Sequence, residues 1–174
     1  MNRASATRRI ANAQTDAPME EPATLNAADF NFVGQANLGA PFQVNSGRLA
    51  EKKGGSAAIR DYAHLTVTSH IPVIAALTAI LQRKNVAPSS TLLHAVYDAM
   101  ISTLEADHGA AFDRDYVNGH IEYQKGNAAL FRQEIQNGSD PELKEFARQT
   151  LPKIEDHLLR ALRLAGASSD STSN

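Results

Sequence analysis

Cysteine and tryptophan are both absent from the 174-residue chain, and aromatic residues make up only 6% of it. Without cysteine there is no thiol nucleophile, no disulfide, no Cys-ligated zinc and no iron–sulfur cluster. Without tryptophan the usual stacking platforms for sugars and bases are thin. Charge of one sign is missing too: 17 Lys+Arg stand against 19 Asp+Glu, a formal net charge of −2. That balance speaks against a nucleic-acid partner, which needs a basic face, and against a polybasic membrane-surface helix.

Long apolar runs are also lacking. The longest, Ile71 to Leu81, is about half of the ~20 residues a span requires. It contains Pro72 and sits within a longer amphipathic pattern, so the expectation is a buried helix and no transmembrane segment. Arg3, Arg8 and Arg9 resemble the charged start of an export signal, but Ala-Asn-Ala-Gln-Thr-Asp follows them where an apolar stretch belongs. No signal peptide is visible in this chain. Strand signals are absent as well: no segment combines β-branched residues, period-2 alternation and bracketing turns.

What is present is helix. Residues 1–26 and 166–174 are polar, small and low in apolar content, and are expected to be disordered; residues 27–165 form the folded body. Asn26 or Asp29 opens a first helix ending at Lys52-Lys53 before Gly54-Gly55, with cationic last-turn residues and terminal glycine as stop signals. Ser56 caps a second helix to about Asn85, a shorter third runs from Ser90 to about Asp107, and a fourth from about Phe112 to Asn137-Gly138. Ser139-Asp140-Pro141-Glu142 restarts the chain with a cap, a first-turn proline and an early acid, and the last helix ends near Ala165-Gly166. Pro72 and Pro152 fall inside helical patterns whose apolar period continues through them. Two short turns and a long middle connection give hairpin, crossover, hairpin: an all-α, ferritin-like four-helix bundle with a short extra crossover helix. Twenty-nine alanines allow close approach of the axes.

The 3-4 spacing of apolar residues locates the seam. It runs Val33, Ala36, Ala40, Gln43, Gly47, Ala50 in the first helix and Ile59, Ala63, Thr66, His70, Val73, Leu77, Ile80 in the second. The fourth contributes Val117, Ile121, Gln124, Ala128, Phe131, Ile135 and the last Ala147, Thr150, Ile154, His157, Ala161, Leu164. Each long helix thus places one strongly polar side chain mid-stripe: Gln43, His70, Gln124 and His157. The favoured reading is a hydrogen-bonded layer that fixes helix register. The competing one is a transition-metal site for zinc, copper or iron on His70 and His157, with Gln43 and Gln124 behind them.

Carboxylates decide between richer metal chemistries. A di-iron bundle requires Glu-x-x-His pairs on two helices, yet Val67 and Ile154 stand three residues before His70 and His157. Glu105-Ala-Asp-His108 matches once, at a helix end and without a second copy. Ser69-His70 are sequence neighbours about 100° apart on a helix and sit in no Gly-x-Ser-x-Gly elbow. Asp113, Arg114 and Asp115 suit the fourth helix's N-terminal dipole. Phe112, Tyr116, Tyr123 and Phe131 read as packing residues, and His64, His94 and His120 as surface or boundary residues. No catalytic residue, required cofactor or specific partner emerges; an enzyme is disfavoured, and a homo-oligomer is compatible with the pattern.

An ordered set of short motifs carries a resemblance. It comprises Asp29-Phe30-x-x-Val33-x-x-Ala36, Gly47-x-Leu49-Ala50, Tyr62-Ala63 followed by His70, and Phe112-Asp113-Arg114-Asp115-Tyr116. Tyr123-Gln124-Lys125-Gly126-Asn127, Phe146-Ala147 and Leu151-Pro152-x-x-x-x-His157-Leu158 complete it. Over about residues 27–164 the chain resembles the bacterial ferritin-like family classed as domain of unknown function 4142, often labelled predicted outer-membrane or periplasmic proteins. The resemblance implies a helical bundle of the periplasm or cell envelope without established activity, and the expectation is a non-catalytic body whose specific role is open, stress tolerance being one candidate. His70 and His157 match recurrent histidine positions of that family. Ser69 stands where many relatives have an acid, and Gln124 where some have histidine; both departures weigh against metal.

Overall fold

The computed structural model describes residues 25–87 and 91–171. Among them there are five helices and no strand: α1 (Ala27–Lys53), α2 (Ala57–Arg83), α3 (Thr91–Ala106), α4 (Gly109–Asn137) and α5 (Pro141–Ser171).

Local chemistry sets most of the ends. Asn26 caps α1, its side chain accepting from the Ala28 and Asp29 amides while Asp29 accepts from the Asn26 amide, a reciprocal capping box. Ser56 Oγ accepts from Ile59 N at 3.2 Å to start α2. Asp140 Oδ1 takes the Glu142 and Leu143 amides at 3.0 and 2.9 Å, and Pro141 fills the first position of α5. Asn85, with φ 53°, ends α2 in the left-handed region that asparagine tolerates. Gly109, with φ 56°, joins α3 to α4. That glycine opens α4 three residues before the expected Phe112. Prolines 41, 72 and 152 all lie within helices. The last helix continues past its expected end at Gly166 to Ser171; Gly166 has open space around it, and in a helix it costs only about 1 kcal/mol relative to alanine. The stretch expected to be a disordered leader lies almost wholly outside the described residues, as do residues 172–174.

Two apolar clusters fill opposite ends of the bundle. One joins Phe32, Val33 and Ala36 of α1, Leu77, Ile80 and Leu81 of α2, Leu130 and Phe131 of α4, and Leu143, Phe146 and Ile154 of α5. The other joins Ala50, Ile59, Tyr62, Ala63, Leu104, Phe112, Tyr116, Val117, Ile121 and Ala161. The start of α1 therefore meets the ends of α2 and α4 and the start of α5. Each long helix runs antiparallel to its two neighbours, in the ring order α1, α2, α5, α4, with α3 on the outer face of α1. Phe42 stacks on Tyr97 with centroids 4.9 Å apart to hold α3 there. By length and composition alone α2 is apolar enough to cross a membrane; its inward face enters both clusters and carries buried Thr66 and His70.

Candidate functional site

Between the two apolar clusters lies a layer of polar side chains. Gln43, Ser46, Thr66, His70, His120, Gln124, Thr150 and His157 are all buried, and all four long helices contribute. The seam spacing therefore places the four expected residues correctly. Four of the layer's residues, Gln43, Ser46, Thr66 and Gln124, are fully enclosed. His120 belongs to the layer too. It was expected at the surface or boundary but is 1% exposed, because it stands three residues after Val117 and four before Gln124 and so shares their inward face. His64, by contrast, is exposed and bonds Glu51 at 2.8 Å.

The layer is organised as two pairs and one bridge. Gln124 Nε2 donates to Gln43 Oε1 at 3.1 Å, joining α4 to α1. The rings of His70 and His157 lie 5.1 Å apart between α2 and α5. His120 Nε2 lies 2.9 Å from Ser46 Oγ, and its Nδ1 is 3.4 Å from the Tyr62 hydroxyl.

Counting protons assigns the tautomers. A carbonyl only accepts, so His70 Nδ1, 2.9 Å from Thr66 O, carries a hydrogen and leaves Nε2 as the lone pair. Ser69 Oγ donates to Leu65 O at 2.7 Å, so it accepts from His157 Nε2–H at 3.1 Å. Ser46 Oγ donates to Phe42 O at 2.8 Å and accepts from His120 Nε2–H. His157 Nδ1 is consequently a buried lone pair, and it has no partner.

All three rings are held neutral. Burial, reinforced by the neighbouring His70 and His157 rings, brings His120 down to about 3. Burial and the His70 ring bring His157 down to about 4. Burial keeps His70 below its usual value although the Thr66 carbonyl pulls the other way. Burial also raises Tyr62 and Tyr116, so the layer holds no charge near neutral pH.

This geometry limits the chemistry. Ser69 reaches an imidazole, as a nucleophile would, but that imidazole is a weak base and no acid orients its far nitrogen. A cavity of about 10 Å³, room for roughly one water, adjoins His70 and Thr150 but not His157. Among the described residues no three His, Cys, Asp or Glu side chains are grouped to hold a metal ion. The single Glu105-x-x-His108 match faces outward; His108 caps its own turn through Ala106 O at 2.9 Å.

A family model described as Domain of unknown function (DUF4142) matches residues 14–164. No curated protein matches the chain. A crystal structure of a DUF305 fragment from Deinococcus radiodurans is similar with a TM-score of 0.74 and 17% identity, over 84% of this chain and 99% of that one. At that identity the likeness concerns the fold alone.

Proposed function

The chain belongs to the DUF4142 family, and from that premise we propose that it is a non-catalytic helical-bundle protein of the bacterial cell envelope. The observation that carries this reading is the neutral layer. Its two amides bond to each other, and its rings to serine and tyrosine hydroxyls and one helix carbonyl, sealed between two apolar clusters with no carboxylate among them. A general acid–base site needs a group titrating near the working pH, whereas burial pushes these imidazoles far from it. The envelope assignment rests on family resemblance, and cell fractionation with an antibody to the chain tests it: recovery in the cytosol alone rejects it.

A second reading has one observation in its favour. His157 Nδ1 is a buried lone pair without a partner, and the His70 ring, whose free lone pair is Nε2, stands 5.1 Å away. Two neutral imidazoles are suitable ligands for zinc, copper or iron, with Gln43 and Gln124 behind them, and on this reading the bundle sequesters a metal. Elemental analysis of untagged protein decides between the two. The scaffold reading expects less than one tightly held transition metal per chain. Stoichiometric metal, lost in both His70→Ala and His157→Ala, overturns it in favour of the second. Turnover of ferrous iron with oxygen or peroxide would reject both in favour of a third, less favoured reading, a ferritin-like oxidoreductase.

A further inference from the structure

The end of the bundle away from the Gly54–Ser56 turn is closed by carboxyl groups. Asp29 is fully buried and accepts from Asn26 N at 2.6 Å, Ser139 N at 3.0 Å, Ser139 Oγ at 2.5 Å and Asp140 N at 3.2 Å. Asn26 Nδ2 donates to Asn137 O at 2.8 Å. Asp140, also fully buried, caps α5 and pairs with Lys84 Nζ at 2.7 Å. These contacts tie the start of α1 and the end of α2 to the α4–α5 turn.

Beneath this clasp sits Glu134 of α4, 1% exposed. Both its carboxyl oxygens are buried without a hydrogen-bond donor, and the Asp29 carboxyl lies within hydrogen-bonding reach. The turn closes tightly over it: a Cβ at Gly138 would stand 2.2 Å from Oε1. Two facing carboxylates offer acceptors and no donor, so a proton is the piece this contact lacks.

We propose that Glu134 is a proton-operated latch: protonated, it donates to the Asp29 carboxylate and holds the clasp shut; ionised, it repels Asp29 and Asp140 and loosens the start of α1 and the α4–α5 turn. The charged groups around it agree. From α1 comes Asp29. From the turn and α5 come Asp140 and Lys144, the lysine pulling in the opposite direction. From the end of α2 comes Lys84, already shared between Asp140 and Glu142. Burial first, then the bond to Asp29 and the charges of Asp29 and Asp140, raise Glu134 from 4.5 to about 7. Asp29 stays ionised: burial alone would raise it, but hydrogen bonds from Ser139, Asn26 and Asp140 hold it below its usual value. An opened end returns Glu134 to its ordinary value, so the closed state is most favoured below about 4.5 and loses its advantage as pH rises towards about 7.

Carbon-detected NMR of the Glu134 carboxyl in the full chain, with amide hydrogen exchange of Ser139, Asp140 and Leu143 across the same pH range, tests the latch. The carboxyl is expected to titrate near 7. Protection factors, corrected for intrinsic exchange, should fall by about tenfold per pH unit between roughly pH 5 and 6.5 and level off above 7. Glu134→Gln supplies a permanent donor without charge and should make that protection independent of pH. A carboxyl titrating between 4 and 5, flat protection in the wild type, or an unchanged slope in Glu134→Gln would each overturn the proposal. The titration and the wild-type exchange need no variant, so a Glu134→Gln chain that failed to fold would leave both tests standing.

Discussion

Gln124 and Gln43 share one hydrogen bond, 3.1 Å from Nε2 to Oε1, and leave their other polar atoms, Gln124 Oε1 and Gln43 Nε2, buried without partners. The pair is therefore only half satisfied. Removing one member orphans the whole amide of the other, whereas removing both leaves nothing to desolvate. Gln43→Leu or Gln124→Leu alone should destabilise by about 1–3 kcal/mol, and the double variant should recover much of that loss. Urea unfolding in a double-mutant cycle measures it; strictly additive losses would contradict the half-satisfied pair.

The buried histidines set an acid limb. An unfolded chain takes up protons on these residues below 6.5, while folded His157 and His120 refuse them until about 4 and about 3. Their contribution is complete above 6.5 and is lost as pH falls through that window, at up to roughly 1.4 kcal/mol per pH unit for each ring. Glu134 acts oppositely between 4.5 and about 7. With more than one ring opposing a single carboxyl, stability should rise from pH 4 to about 6.5 and decline slightly beyond it. Thermal unfolding across pH checks the shape, and His157→Phe should flatten the acid side.

Much of this arrangement was legible in the chain. The 3-4 spacing put Gln43, His70, Gln124 and His157 on inward faces, and Ser, Asp and Gly signals marked the turns, because periodicity and capping are local properties. His120 was legible in principle, since positions 117, 120, 121 and 124 form one stripe, but imidazole is equally at home in water. Glu134 was not. It follows Leu130 by four and Phe131 by three, yet a carboxylate on an inward face is assigned to solvent unless its neighbours are known. Those neighbours, Asp29 and Asp140, come from other segments. The pairing of His157 with Ser69 is likewise tertiary: it depends on helix rotation, which one sequence does not fix.

Helix spacing gives a contrast between two glycines. A Cβ at Gly47 would stand 2.8 Å from Val67 Cγ2 and 3.2 Å from Ala63 O, so α1 and α2 touch through that position. A Cβ at Gly126, also mid-helix, meets nothing within 4 Å. Gly47→Ala should cost about 1–3 kcal/mol through overpacking, less any gain in helix propensity. Gly126→Ala should stabilise by up to about 1 kcal/mol. Chemical denaturation of the two variants side by side measures both, and equal effects would mean that α1 and α2 are not in close contact there.

Lys53 fastens α3 to the body of the bundle. Its Nζ donates to Leu104 O and Glu105 O at 2.9 and 2.8 Å and lies 5.0 Å from the centre of the Phe112 ring. A cation at the carbonyl end of a helix satisfies acceptors that have no partner within it and complements the dipole, and the ring face adds a cation–π contact. Lys53→Met keeps most of the aliphatic stem but loses all three interactions. Because α3 packs mainly against α1 and only lightly against α4, the loss should be local. Amides near the end of α3 are expected to exchange faster by about tenfold, with global stability reduced by roughly 1 kcal/mol. Equal acceleration across all five helices would instead show that α3 and the four-helix core open as one unit.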